Sequence, residues 1–263
     1  MISKEDIITV LSPLNFWGNE QQIGSHREKL VQTLKNLINV KNKTIAVIGV
    51  RRCGKTTLIK QTLSNKIQEG LKKEQTLYIN FEDPKLDPFL SLELLDEIYT
   101  AYKTIVNKEE KECLIVLDEV QNIDKWEKWV RIMQEKKEKT TIIVTGSSSK
   151  LLAAEFSTVL TGRTLKLKIF PLSFSEFISF KGLEIKSEMD KIVNAEKIQK
   201  HLNEYLFYGG FPEVFFENED NKYLILKEYF EDIVTRDVIK RFSIRDSYQA
   251  KVTAELAINN FSS

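Results

Sequence analysis

Short apolar runs of strand length alternate along this chain with longer segments whose apolar positions recur at helical spacing, the pattern of a parallel sheet covered by helices. The spacing predicts strands over Thr44 to Ile48, Thr76 to Phe81, Leu114 to Leu117, Thr141 to Thr145 and Thr164 to Phe170. The third run is continuously apolar, as a strand buried on both faces must be. The fifth alternates, with Leu165, Leu167 and Ile169 set against Thr164, Lys166 and Lys168, which predicts one wet face at a sheet edge. Between the strands, Trp126, Trp129, Val130 and Met133 fall on one helix face, and core packing accounts for both tryptophans. Leu58, Ile59, Leu63 and Ile67 form a second stripe, with Gly70 as its stop.

Beyond Pro171 the strand pattern ceases and the chain reads as helical through Glu255, with a break at Tyr208-Gly209-Gly210-Phe211-Pro212. The expected organisation is a helical N-terminal segment over 1–40, an α/β core over 41–170, a helical unit over 171–235 and the start of a further helical region over 236–263. Asn259 to Ser263 follow an apparent helix without a closing motif, so the chain is expected to be cut from a longer polypeptide.

Chemistry enters at Gly49-Val50-Arg51-Arg52-Cys53-Gly54-Lys55-Thr56, which satisfies G-x-x-x-x-G-K-[ST] between a predicted strand and a predicted helix. Glycines let the backbone curl so that successive N–H groups face phosphate oxygens, and the helix that follows adds the positive end of its dipole. Gly49, Arg52, Cys53, Gly54, Lys55, Thr56 and Thr57 are therefore the candidate nucleotide-binding residues. Lys55 is a point charge for the β and γ phosphates, and the Thr56 hydroxyl is a ligand for Mg2+. Arg51 and Arg52 supply local positive charge or contact a partner domain.

The predicted third strand ends in Asp118-Glu119, and strand ends face the ligand crevice in open parallel sheets. Asp118 is the candidate metal residue; Glu119 is the candidate to orient or deprotonate an attacking water, or else an exposed acid at a helix start. The predicted fourth strand ends in Thr145-Gly146-Ser147-Ser148-Ser149. A hydroxyl there could sense the γ-phosphate; Ser147 is the first candidate, with Thr145 and Ser148 behind it, and a plain N-cap is the alternative.

A glycine loop, an Asp-Glu strand, a polar-ended strand, a helix and an isolated Arg before a fifth strand resemble the AAA+ ATPase core, whose sheet order is 5-1-4-3-2. Gly-Val-Arg-Arg-Cys-Gly-Lys-Thr-Thr, Leu-Asp-Glu-Val-Gln-Asn, Val-Thr-Gly-Ser-Ser-Ser, Leu-Thr-Gly-Arg-Thr, Phe-Pro-Leu-Ser-Phe-Ser-Glu-Phe and Tyr-Gly-Gly-Phe-Pro-Glu-Val are similar to a STAND-like archaeal and bacterial branch of that superfamily. The likeness runs from about Asn15 to about Asp246. It implies ATP and Mg2+ as cofactors, ATP hydrolysis, and a helical lid over 171–235 that nucleotide closes. It also implies that Arg163 is an arginine finger reaching a neighbouring subunit of a homo-oligomer, where the bare residues equally fit a turn in a surface ion pair. Pro212 matches the Gly-x-Pro whose proline packs near nucleotide, and the region after 236 would begin a winged helix. An Arg at the lid's sensor position is missing from the pattern.

Composition narrows the alternatives. The 263 residues carry 39 Lys and Arg against 38 Asp and Glu, a formal charge of +1, so global electrostatics gives no case for nucleic acid or anionic membrane as an obligatory partner. That balance is local. Residues 41–60 hold six bases and no acid, whereas 204–232 hold eight acids and two bases, an arrangement suited to clamping one nucleotide. Two cysteines make neither a disulfide framework nor a Cys-based zinc site, no apolar run approaches the ~20 residues of a spanning helix, and a cytoplasmic protein is expected. An ATP-regulated nucleic-acid module is the alternative, drawn from the five bases against two acids between Arg236 and Lys251. A small-molecule kinase is a weaker one, because a water-activating Glu119 opposes it.

Overall fold

The structure is a computed structural model that describes residues 3–108, 112–136, 140–147, 160 and 162–260. It divides into two units, the first Met1–Val50 with Gly54–Ile169, the second Arg51–Cys53 with Phe170–Ser263.

The first unit is built on five parallel strands, β1 (Thr44–Gly49), β2 (Thr76–Asn80), β3 (Cys113–Asp118), β4 (Thr140–Ser147) and β5 (Thr164–Lys168). Their order is β2-β3-β4-β1-β5, the expected 5-1-4-3-2 read from the other edge. Every residue of β1 and β3 is buried, so both are apolar without alternation, while Lys166 and Lys168 of the edge strand β5 are exposed.

Ala46, Ile48, Leu77, Ile79, Ile115, Leu117, Ile142 and Val144 share one core. Onto it pack α1 (Lys4–Leu11) through Ile7 and Leu11, α4 (Leu92–Ile105), and α5 (Trp126–Glu135) through Trp126, Trp129, Val130 and Met133. The Trp129 indole donates to Asp96 Oδ1 at 2.8 Å and meets Tyr99 edge-on, so these tryptophans are core residues. Alternate strand positions such as Ile45, Val47, Val116 and Ile143 are buried on the other side. There α3 (Lys55–Gln68) follows β1 and packs with α2 (Glu28–Ile38).

The N-terminal residues are part of this unit, closing the β2 edge with side chains instead of a strand. Asn15 Nδ2 donates to the Tyr78 carbonyl at 2.8 Å, its Oδ1 accepts from the Tyr78 N–H at 2.7 Å, and the Trp17 indole donates to the Thr76 carbonyl. An open strand edge is a template for another chain, and this pairing removes it.

The second unit is helical: α6 (Phe174–Phe180), α7 (Glu188–Val193), α8 (Ala195–Tyr208), α9 (Pro212–Phe216), α10 (Glu219–Asp232), continuing as a π-helix over Ile233–Ile239 and a short turn, and α11 (Ser247–Asn260). Ser173 and Glu176 form a capping box that starts α6. Leu172, Phe177, Ile178 and Phe215 make the core, with Phe177 and Phe215 edge to face at 4.9 Å. Gly210 touches the chain at Leu172, whose N–H donates to the Gly210 carbonyl at 2.7 Å. A Cβ on Gly210 would lie 2.2 Å from the Leu172 carbonyl oxygen, so no other residue fits without moving backbone. Within this unit Arg51 faces Asp237 at 3.7 Å, and Arg52 faces Glu213 at 3.5 Å and the Tyr229 ring.

Candidate nucleotide-binding and catalytic site

The loop after β1 turns sharply enough that Arg52 (φ 63°) and Gly54 (φ 95°) both take the left-handed conformation, the second immediately before α3 begins at Lys55. Glycine is the residue for which that conformation costs nothing. Lys55 is 6% exposed, and its Nζ donates to the carbonyls of Gly49 at 3.1 Å and Val50 at 3.2 Å and lies 3.7 Å from Glu119 Oε1.

Asp118 closes β3 and is buried. Thr56 Oγ1 donates to its Oδ2 at 2.8 Å, the Tyr78 hydroxyl donates to the same oxygen, and the Thr145 hydroxyl donates to Oδ1. Burial, then the Asp118 charge, pushes the Tyr78 phenol well above the ordinary tyrosine range, so it is a permanent donor. The next residue, Glu119, sits at φ 53°, ψ 44°, a sparsely populated conformation for a residue with a side chain. Its N–H donates to Thr145 Oγ1 at 3.1 Å, which holds that conformation in place, and Gln121 Nε2 donates to its Oε2. Burial raises the Glu119 carboxyl above the usual carboxylate range against the opposing pull of Lys55.

Lys55, Thr56, Asp118 and Glu119 are thus gathered at the carboxyl ends of β1 and β3, and Thr145 joins them from β4. Ser147, preferred from the sequence, is the last residue of β4 and pairs in register with Gly49. Ser148 lies outside the described residues. Thr145 is fully buried and bonds both the Asp118 carboxylate and the Glu119 N–H, which a continuous run of buried positions in β4 could not distinguish from a core threonine. Tyr78 escaped sequence reading because it lies in mid-strand, forty residues from its partner.

Arg163 stands elsewhere. It precedes β5, whose Thr164 pairs with Thr44, at the amino ends of the strands and so at the far side of the sheet from Gly49. Its guanidinium bonds Glu135 at 3.0 Å and is 43% exposed on its side chain. Within one chain it is the surface ion pair of the two readings. Arg52 and Cys53 are grouped with the helical unit, and Pro212 is the first residue of α9 there. Among the described residues no group of three or more His, Cys, Asp or Glu gathers as a metal cage. No described helix is long and apolar enough to cross a membrane.

A parallel sheet in this order, with a glycine loop leading from its first strand into a helix, is the fold of a P-loop ATPase. The chain belongs to the AAA domain family AAA_14, which matches residues 41–178, and a domain of unknown function matches residues 199–262. It is 40% identical over 223 residues to the uncharacterized protein MJ1544 of Methanocaldococcus jannaschii, covering 84% of this chain and 48% of that one. It is 32% identical over 220 residues to an uncharacterized protein of Haemophilus influenzae, covering 83% and 52% respectively. The chain therefore spans about half the length of the curated relatives it matches. Among solved structures, the Walker-type ATPase PABY2304 of Pyrococcus abyssi superposes with a TM-score of 0.51 at 13% identity, covering 88% of this chain and 77% of that one, a likeness of fold.

Proposed function

We propose that this chain is a Mg2+-dependent ATPase whose nucleotide state sets the position of its helical unit. The observation that carries the reading is the buried constellation of Lys55, Thr56, Asp118, Thr145 and Glu119 beside a glycine loop. The loop N–H groups and the start of α3 favour an anion, and Lys55 supplies the compact charge for the terminal phosphates.

The donor set at Thr56 and Asp118 fits Mg2+. Thr56 has committed its hydroxyl hydrogen to Asp118, which leaves its lone pairs for a cation. One carboxylate and one hydroxyl suit an ion that keeps waters and shares phosphate oxygens. Bound there, Mg2+ would neutralise charge developing on the phosphates. Glu119 orients the attacking water and accepts its proton. A carboxyl raised by burial is a stronger base than a solvated one, and a backbone pinned by Thr145 aims it.

Arg163, exposed and remote from its own loop, is a candidate finger toward a second copy, which makes a homo-oligomer the form in which it would act. Pro212 and its neighbours are the elements of the helical unit proposed to respond to nucleotide. The eight acids of residues 204–232 give that segment the wrong sign for a polyanion platform.

Lys55→Ala is expected to abolish ATP binding in calorimetry. Glu119→Gln is expected to keep binding while phosphate release falls at least about a hundredfold, the lower end for loss of a positioned base. Equal turnover in wild type and Glu119→Gln would refute the assignment.

A further inference from the structure

We infer that Tyr78, with Thr145, is a positioning residue that restricts how Asp118 meets a divalent cation and so makes the site discriminate Mg2+ from Ca2+. The inference rests on the Mg2+-nucleotide reading above and concerns residues of the first unit alone.

An ionised carboxylate offers about four lone-pair sites. Three are occupied at Asp118. Oδ2 accepts from Thr56 and from the Tyr78 hydroxyl, and Oδ1 accepts from Thr145. Tyr78 and Thr145 are each anchored by contacts of their own. Tyr78 is 3% exposed, and Asn15 pins its backbone through both the N–H and the carbonyl. Lys60 Nζ lies 5.7 Å from the centre of the Tyr78 ring and donates to Gln21 Oε1. Thr145 is fully buried in β4 and bound to the Glu119 N–H. The carboxylate is consequently fixed in rotation, with one lone pair, on Oδ1, left over.

That restriction has a consequence for the metal. Ca2+ takes six to eight oxygens in flexible geometry and readily accepts both oxygens of one carboxylate, whereas Mg2+ is smaller, octahedral and reluctant to shed water. A carboxylate with a single open lone pair can touch a cation or its bound water through one oxygen only. It loses nothing as a partner for Mg2+ and is a poor one for Ca2+. Loss of the Tyr78 hydroxyl would open a site on Oδ2 and permit two-oxygen contact.

The test uses a fluorescent ADP analogue titrated into the whole chain in EDTA, in Mg2+ and in Ca2+. Wild type is expected to bind more tightly with Mg2+ than with Ca2+. Tyr78→Phe retains the ring and is expected to narrow that preference at least about threefold, near the low end of what a single hydrogen bond contributes. Its affinity in EDTA should stay within about twofold of wild type. Thr145→Val removes the clamp on Oδ1, so the carboxylate is no longer fixed in rotation and the preference should shift in the same direction; Thr145→Ser, which restores the hydroxyl, should return it, so the inference stays testable if Tyr78→Phe does not fold. An unchanged Mg2+ to Ca2+ ratio in folded Tyr78→Phe, or an equal loss with both metals, would overturn it. Wild-type binding indifferent to either metal would instead refute the Mg2+ reading on which it stands.

Discussion

Replacing Thr145 by valine keeps the shape of a fully buried residue and removes one oxygen, so the cost isolates two hydrogen bonds. The first runs from the hydroxyl to the Asp118 carboxylate, and a bond to a charged group contributes about 1.5–3 kcal/mol. The second is accepted from the Glu119 N–H at 3.1 Å, and a buried donor left without a partner costs about 1–3 kcal/mol. The two share one oxygen and are not additive, so about 3 kcal/mol of destabilisation is expected. For a unit of this size that corresponds to a drop of about 6–12 °C in melting temperature. Thermal melting followed by circular dichroism on wild type, Thr145→Val and Thr145→Ser measures it. Serine keeps the oxygen and loses a methyl group, about 1 kcal/mol. With its anchor gone, the left-handed Glu119 relaxes, and turnover in Thr145→Val should fall with it. A valine variant as stable as wild type, or a serine variant as damaged as the valine one, would refute the reasoning.

Other expectations follow from single contacts. Arg163→Ala breaks an exposed pair with Glu135 and should leave the melting temperature unchanged, while reducing turnover only where the protein self-associates; unaltered turnover across a concentration series would remove the finger assignment. Gly210→Ala forces a Cβ to within 2.2 Å of a backbone oxygen and should cost about 1–3 kcal/mol in urea unfolding of the helical unit; an unshifted midpoint would contradict the packing. Glu204 is opposed by burial, but hydrogen bonds from Lys222 and Lys181 outweigh it and hold the carboxyl below the usual glutamate range. A lowered carboxyl contributes stability that is present above its unfolded value and is lost as pH falls through the folded one. Glu204→Gln should therefore melt lower at neutral pH, by about 1 kcal/mol because the side chain is 20% exposed, and the gap should close in acid; a gap that persists there would exclude the ion-pair account.

What the chain reveals in one dimension is whatever depends on neighbours in sequence. Hydrophobic period is such a property, so the five strands, the continuous burial of β3, the wet edge of β5 and the Trp126 helix were legible. The glycine loop was legible for the same reason, because its phosphate-facing backbone and the helix that follows are one contiguous segment. The N-terminal residues were read as a lead-in to the core. Tertiary structure made them part of it, because Asn15 finds its partner at Tyr78, sixty-three residues away. Thr56, Asp118 and Thr145 were candidates in the sequence, but the bonds that Tyr78 and Thr145 make to the Asp118 carboxylate lie beyond sequence reading in the same way. Asn80 pairs with Asp118, Leu117 with Val144 and Val47 with Thr145, so it is strand register that sets mid-strand Tyr78 and buried Thr145 against one carboxylate. A buried strand looks the same in sequence whether its threonine faces hydrocarbon or a charge. Only the order in which crossovers stack the strands decides which, and that order put Thr145 against Asp118.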